Sequence, residues 1–133
     1  MAVAYRIYAR ALFDAANERG APRHVRHILD TVPGLTLIAC HFGGYQRLDE
    51  AERTVVGSRA YLETSWPPTT GDLDPERIRA LIARHGADRV VYGSDWPMTD
   101  PATEIAAVKA LGLDPDDEAK ILGGNLARLL DLE

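Results

Sequence analysis

The sequence has a single cysteine, Cys40, and therefore no possible internal disulfide bond. Small secreted domains usually depend on several disulfides, whereas cytosolic thiols stay reduced. One cysteine fits a reducing compartment, and we predict a cytoplasmic protein. Alternation along a strand points Cys40 and the adjacent His41 to opposite faces, so the thiol is expected to be buried and inert.

Long apolar runs and basic clusters are also missing. No segment approaches the roughly 20 apolar residues of a membrane span, and Arg6 and Arg10 interrupt the apolar pattern of residues 1–16, where a secretory signal would be continuous. With 20 acidic and 15 basic residues, the net charge is -5. This balance predicts that neither nucleic acid nor an anionic membrane is a partner.

What is present is an ordinary globular composition, with 46% hydrophobic and 26% charged residues in a chain of 133. That length fits one domain. A domain near this size buries roughly two thirds of the surface that its unfolded chain exposes, so a stable core is feasible.

Helix signals recur along the chain. Apolar residues at helical spacing predict a helix over residues 5–19 and a second over 23–29. Asp-Pro pairs at 74–75, 100–101 and 114–115 place a capping side chain before a first-turn proline, which predicts three more helix starts. Asn125 follows two glycines and is expected to cap a final helical turn.

Three short apolar runs predict buried strands, and each is followed by polar residues. The run 35–40 leads to His41, 59–63 leads to Thr64 and Ser65, and 90–93 leads to Ser94 and Asp95. Helices between the runs predict parallel strands. The carboxyl ends of parallel strands share one edge, where α/β proteins assemble their active sites.

Four segments stand out as motifs: TLIACHFGG at 36–44, AYLETS at 60–65, RVVYGSDWP at 89–97 and KILGGNLARLL at 120–130. In this order they resemble the carboxyl-terminal part of the amidohydrolase family 2 proteins. The family consists of metal-dependent hydrolases and decarboxylases built on a distorted TIM barrel. The resemblance implies an α/β fold with a partial TIM-barrel-like arrangement of parallel βα units.

The family pattern is incomplete in this chain. A closed barrel typically needs about 250 residues, and family members begin with a His-x-His metal pair. No such pair occurs among His24, His27, His41 and His85, and a second histidine-bearing strand is also missing. Residues 1–133 are therefore expected to form a single, truncated amidohydrolase-related domain.

The resemblance implies metal-assisted hydrolysis or nonoxidative decarboxylation of a small carboxylate-bearing or cyclic substrate. Asp95 would be a metal ligand and general base, because a strand-end carboxylate can bind a divalent ion and accept a proton from bound water. His41 would be a metal ligand or an electrophilic stabiliser. Zinc is the first expectation for the metal, bound weakly or not at all. Alternatively, Asp95 shapes a turn and His41 only bonds nearby backbone.

A noncatalytic reading competes with the enzymatic one. A partial barrel leaves unpaired strand edges that template association with another chain. The chain could thus be a remnant acting as an oligomerising or binding module, and a homo-oligomer is expected under either reading. A flavodoxin-like receiver is disfavoured because no strand ends in an acidic pair.

Other candidates are weaker. His24 and His27 lie three residues apart, but adjacent arginines would repel a cation. His85 precedes a glycine at a predicted helix end, where a histidine favourably meets the helix dipole. Trp66 and Trp96 follow two of the strands and either wall a substrate pocket or cover the rim of the core.

Overall fold

The computed structural model describes residues 22–132, and in that range the chain forms six helices and three strands. They are α1 (Pro22–Thr31), β1 (Ile38–Ala39), α2 (Leu48–Thr54), β2 (Tyr61–Glu63), α3 (Pro75–His85), β3 (Val90–Val91), α4 (Pro101–Ala110), α5 (Pro115–Ala119) and α6 (Asn125–Leu129). Single 3-10 turns follow β1 and precede α3 and β3, and a π-helical turn joins α5 to α6. The helix predicted over residues 5–19 lies outside the described residues.

The three strands form a parallel sheet in the order β1-β2-β3, which confirms the predicted α/β class. Ile38 pairs with Tyr61, and Leu62 pairs with both Ala39 and Val90. The strands are shorter than the apolar runs that predicted them. Pairing of β1 ends at Ala39 because the chain turns into a 3-10 helix at His41, whose φ is 56°.

The three Asp-Pro pairs start helices as predicted. Asp74 accepts a hydrogen bond from Glu76 N at 3.0 Å, and Asp114 accepts one from Asp116 N at 3.0 Å. Asp100 caps α4 in the same way, through Thr103 N at 3.0 Å. Each aspartate satisfies a backbone donor that the first helical turn leaves without a partner.

The core lies between the sheet and its helices. Its largest apolar members, each less than 2% exposed, are Phe42, Leu62, Ile78, Val90, Val91, Val108, Ile121, Val55 and Leu81. They come from β2 and β3, from α3, α4 and the π-helical turn, and from the residues just after β1 and α2. This apolar packing supports the strand ends. None of the helices in the described range has the length and hydropathy needed to cross a membrane.

Asn125 does not cap a helical turn, contrary to the prediction. Its side chain is fully buried, and Nδ2 donates to the carbonyl oxygens of Ala87 and Val90, both at 2.7 Å. Arg128 in turn donates to Asn125 Oδ1 at 3.0 Å. The amide reaches β3 because the π-helical turn, in which Gly123 has an extended φ of 173°, places the start of α6 against that strand.

His85 lies at the end of α3 as predicted, but it does not act as an exposed cation facing the helix dipole. It is 1% exposed, its Nδ1 accepts from Gly57 N at 3.1 Å and its Nε2 contacts Ala60 O at 2.9 Å. Burial, helped by the positive charge of Arg89, lowers the pKa of His85. The neutral imidazole joins the loop before β2 to α3.

Candidate active site

The carboxyl ends of β1, β2 and β3 carry the polar residues singled out in the sequence. His41 follows β1 by two residues, Ser65 follows β2 by two, and Asp95 follows β3 by four. His41 is half-buried, Ser65 is buried and Asp95 is exposed. Exposure to solvent therefore differs along this edge of the sheet, from the buried Ser65 to the exposed Asp95.

The end of β1 is joined to the end of β2 by one hydrogen-bonded network. His41 Nδ1 lies 3.0 Å from Ser65 Oγ and 3.1 Å from Ser65 O. Ser65 donates twice to Glu63, from Oγ to Oε2 at 2.8 Å and from its backbone N to Oε1 at 2.6 Å. His41 N also donates to Glu63 Oε2, at 3.4 Å. Glu63 therefore supports His41 both directly and through Ser65.

Glu63 is the residue that the sequence reasoning missed, because it was treated only as part of a strand. Two signals could have found it. Glutamate is depleted in strands, and alternation along β2 places Glu63 on the face opposite the buried Leu62. A charged residue at the last position of a central strand is thus unusual unless its carboxylate has partners beyond the strand end.

Both predicted site residues adopt the left-handed backbone conformation, with φ 56° at His41 and 58° at Asp95. Histidine and aspartate tolerate this region better than most residues. Phe42, at φ 51°, does not, and it is fully buried. The core therefore holds the turn after β1 in place, against a cost of about 1–3 kcal/mol for such a conformation.

A second network joins the ends of β2 and β3 to α4. Gly93 N donates to Thr64 Oγ1 at 3.3 Å, and Thr70 Oγ1 donates to Thr64 O at 2.7 Å. Thr70 N donates to both carboxylate oxygens of Glu104 at 3.1 Å. Thr64, Thr70 and Glu104 are all buried. This second network therefore fixes the ends of β2 and β3 against α4.

Negative charge accumulates around Cys40. The prediction of a buried thiol was wrong, since Cys40 is exposed where the chain bends away from the sheet. Partial desolvation and the nearby charges of Glu63 and Asp95 raise the pKa of Cys40, so the thiol stays protonated at neutral pH.

The Asp95 side chain has no hydrogen-bond partner within residues 22–132, although Asp95 O accepts from Met98 N at 2.8 Å.

Aromatic rings line one side of the site. Tyr45 lies 5.2 Å from the ring of His41 and 5.4 Å from that of Trp66, measured between centroids. Trp66 packs against the core and borders a cleft of about 260 Å³. Trp96 differs from it, being 70% exposed. Only Trp66 covers the rim of the core, and Trp96 projects into solvent.

The described residues do not by themselves fit a catalytic metal centre. Such a zinc site usually has three protein ligands and a water, and no group of three histidine, cysteine or carboxylate side chains suited to a metal occurs in the described part of the chain. His41 and Asp95 provide two candidate ligands at most. His27 is exposed on α1.

A model of the amidohydrolase family, of the amidohydrolase-2 type, matches residues 7–132. The chain belongs to this family. The family is metal-dependent and includes both hydrolases and decarboxylases. The predicted kinship is thereby confirmed over nearly the whole chain. No curated protein sequence matches the chain significantly.

Solved structures confirm the fold. The chain is similar to 2,6-dihydroxybenzoate decarboxylase from Rhizobium (20% identity, TM-score 0.61, 79% of this chain and 37% of that one). It also resembles a protein from Pseudomonas putida assigned as a 2-pyrone-4,6-dicarboxylic acid hydrolase (23%, 0.64, 84% and 48%). A third is a dihydroxybenzoic acid decarboxylase from a Polaromonas species with bound manganese and the inhibitor 2-nitroresorcinol (21%, 0.59, 79% and 36%).

The chain spans less than half the length of each of these three structures. The amidohydrolases to which it is similar are TIM barrels, and it corresponds to a part of such a barrel. This agrees with the predicted partial arrangement of parallel βα units.

Proposed function

We propose that this amidohydrolase chain contributes the later strand ends of an active site for metal-dependent hydrolysis or nonoxidative decarboxylation. The substrate would be small and either cyclic or carboxylate-bearing. The observation that carries the proposal is the network from Glu63 through Ser65 to His41, because it holds an imidazole in a defined orientation beside the open end of the sheet. Preorganised groups of this kind are what catalysis at a strand edge requires.

Asp95 is proposed as the proton acceptor and a metal ligand. Its carboxylate is exposed and without a hydrogen-bond partner in the described range, so it is free to meet a substrate or an ion. His41 is proposed as the second ligand or as a group that polarises the substrate. His41 differs from Asp95 in being half-buried and hydrogen-bonded, which keeps its ring in one orientation toward a ligand or substrate.

A divalent ion would need more ligands than these two. We propose that the remaining ligands come from residues outside 22–132 or from a second chain, as the missing three-ligand group indicates. Manganese in the Polaromonas neighbour makes it a reasonable ion to test beside zinc. The proposed partners are therefore a small molecule and a further copy of the chain.

A noncatalytic binding or oligomerising module is the second candidate. One observation favours it, namely that residues 22–132 contain no group of three side chains suited to a metal. Under this reading Asp95 and His41 keep the geometry of a family site without its chemistry. Turnover separates the two candidates, since both allow small-molecule binding.

The test is a turnover screen of the purified chain with added Mn²⁺ or Zn²⁺. The substrates would be 2,6-dihydroxybenzoate and 2-pyrone-4,6-dicarboxylate. Chromatography would detect the products of CO₂ loss from the first and of ring opening of the second. Slow turnover that a chelator abolishes is the expected result. No turnover of a broad panel of such acids by a metal-loaded chain would favour the binding module.

A further inference from the structure

We infer that Glu63, acting through Ser65, holds His41 as the tautomer that carries its proton on Nδ1, so that Nε2 presents a lone pair. Glu63 and Ser65 are positioning residues in this inference. The chemical use of that lone pair rests on the proposed function, whereas the tautomer itself does not.

The first step concerns the partners of His41 Nδ1. One of them is Ser65 O at 3.1 Å, and a carbonyl oxygen can only accept. The other is Ser65 Oγ at 3.0 Å, whose single hydrogen is directed to Glu63 Oε2 at 2.8 Å. Both partners are thus acceptors toward His41. The nitrogen between them has to be the donor, and in a neutral imidazole the other nitrogen then lacks a proton.

The second step concerns Glu63, which meets donors only. Its Oε1 accepts from Ser65 N at 2.6 Å, and its Oε2 accepts from Ser65 Oγ at 2.8 Å and from His41 N at 3.4 Å. An ionised carboxylate satisfies all three, because it is an acceptor at both oxygens. A neutral amide in its place would turn an NH₂ group toward one of these donors in either orientation.

The third step concerns space for the carboxylate. A Cβ atom on Gly93 would lie 2.8 Å from Glu63 Cγ and would overlap the carboxylate itself. Glycine two residues after β3 therefore leaves room for the Glu63 side chain beside it. The Glu63 carboxylate thus contacts His41 after β1 and fills the space that Gly93 leaves after β3.

His85 supplies an internal reference with the opposite tautomer. Its Nδ1 accepts from Gly57 N at 3.1 Å, so its proton lies on Nε2, which donates to Ala60 O at 2.9 Å. A single spectrum of the chain should therefore show His41 and His85 as opposite tautomers. Neither assignment requires metal or substrate.

The experiment is long-range ¹H–¹⁵N NMR of the imidazoles in the full ¹⁵N-labelled chain, without metal, at about two pH units above the ordinary histidine pKa of about 6.5. His41→Gln and His85→Gln assign the two signals. The expected result is a protonated, pyrrole-type Nδ1 for His41 and a protonated, pyrrole-type Nε2 for His85.

Glu63→Gln tests the role of the carboxylate. It should convert His41 to a mixture of both tautomers, because the freed hydroxyl of Ser65 can then donate to Nδ1. Glu76→Gln is the matched control, since Glu76 lies on the exposed side of α3 and its side chain is 86% exposed. If Glu63→Gln does not fold, Ser65→Ala serves instead and should also raise the Nε2–H population.

Two results would overturn the inference. One is a His41 that carries its proton on Nε2 in the folded chain while His85 gives its expected signal. The other is a folded Glu63→Gln chain, or Ser65→Ala in its place, with the tautomer of His41 unchanged. Failure of the turnover screen with the expected tautomers intact would instead count against the proposed function alone.

Discussion

Gly93 leaves the space that the Glu63 side chain occupies, since a Cβ atom on Gly93 would lie within 2.8 Å of Glu63 Cγ. Glu63 ends β2 and pairs with Val91, and Gly93 follows the neighbouring parallel strand β3 by two residues. The carboxylate accepts hydrogen bonds from Ser65, just after β2, and from His41, just after β1. The absence of a side chain at Gly93 thereby allows the position of the Glu63 carboxylate.

Gly93→Ala should destabilise the fold and displace the Glu63 carboxylate. Forcing extra atoms into an occupied site costs about 1–3 kcal/mol, and urea unfolding measures that loss. Gly34→Ala is the matched control, because a Cβ there meets nothing within 4 Å. That control should change stability by less than about 0.5 kcal/mol. Equal stability of both variants would contradict the close approach of Gly93 and Glu63.

Asp95→Asn should abolish any metal-dependent turnover while leaving stability nearly unchanged. The amide keeps the shape and tolerates the left-handed φ of 58°, but it loses the charge and the basicity. Steady-state kinetics and thermal unfolding together test this. Asp131→Asn is the control, since Asp131 is also exposed and left-handed, at φ 51°. Undiminished turnover by Asp95→Asn would place the site elsewhere.

Zinc or manganese should bind weakly to the isolated chain. The described residues supply two candidate ligands, where a catalytic zinc usually has three. Elemental analysis after exhaustive dialysis should therefore return well below one ion per chain. One tightly held ion, lost in His41→Ala and kept in His27→Ala, would show that the ligand set is complete.

The chain should form a homodimer or larger assembly through β1. Among the described residues β1 pairs with β2 only, and Ile38 on this edge strand is 42% exposed. Unpaired edges template association, and lysine on an edge strand opposes it. Light scattering at micromolar concentration should show the oligomer, and Ile38→Lys should shift it toward monomer. Ile105→Lys, on an exposed face of α4, should not; a monomeric wild type would refute the prediction.

Stability should fall as the pH drops below about 6.5, the ordinary histidine pKa. Burial lowers the pKa of folded His85, so the unfolded chain binds the proton first. Stability is therefore full above the unfolded pKa and is lost as the pH falls through the folded one. Protonation would also break the bond from Gly57 N. Urea unfolding from pH 8 to 5 should show a steeper fall for wild type than for His85→Gln; equal slopes would contradict this.

The sequence alone was sufficient for the family, the parallel βα order and the helix starts. These follow from local causes: the apolar runs, the Asp-Pro caps at Asp74, Asp100 and Asp114, and motifs contiguous along the chain. It also indicated that His41, Ser65 and Asp95 would follow strands that share one edge. Their catalytic roles stay predictions.

Only the tertiary structure decided which polar groups meet. Glu63 accepts a hydrogen bond from the backbone N–H of His41, which is 22 residues away in the sequence. Asn125 binds the carbonyl of Val90, which is 35 residues away. The exposure of Cys40 and the burial of His85 are likewise set by neighbours distant in sequence. Periodicity and capping reflect interactions within a few residues. Buried polar partners depend on how separate strands and helices pack, which no local pattern encodes.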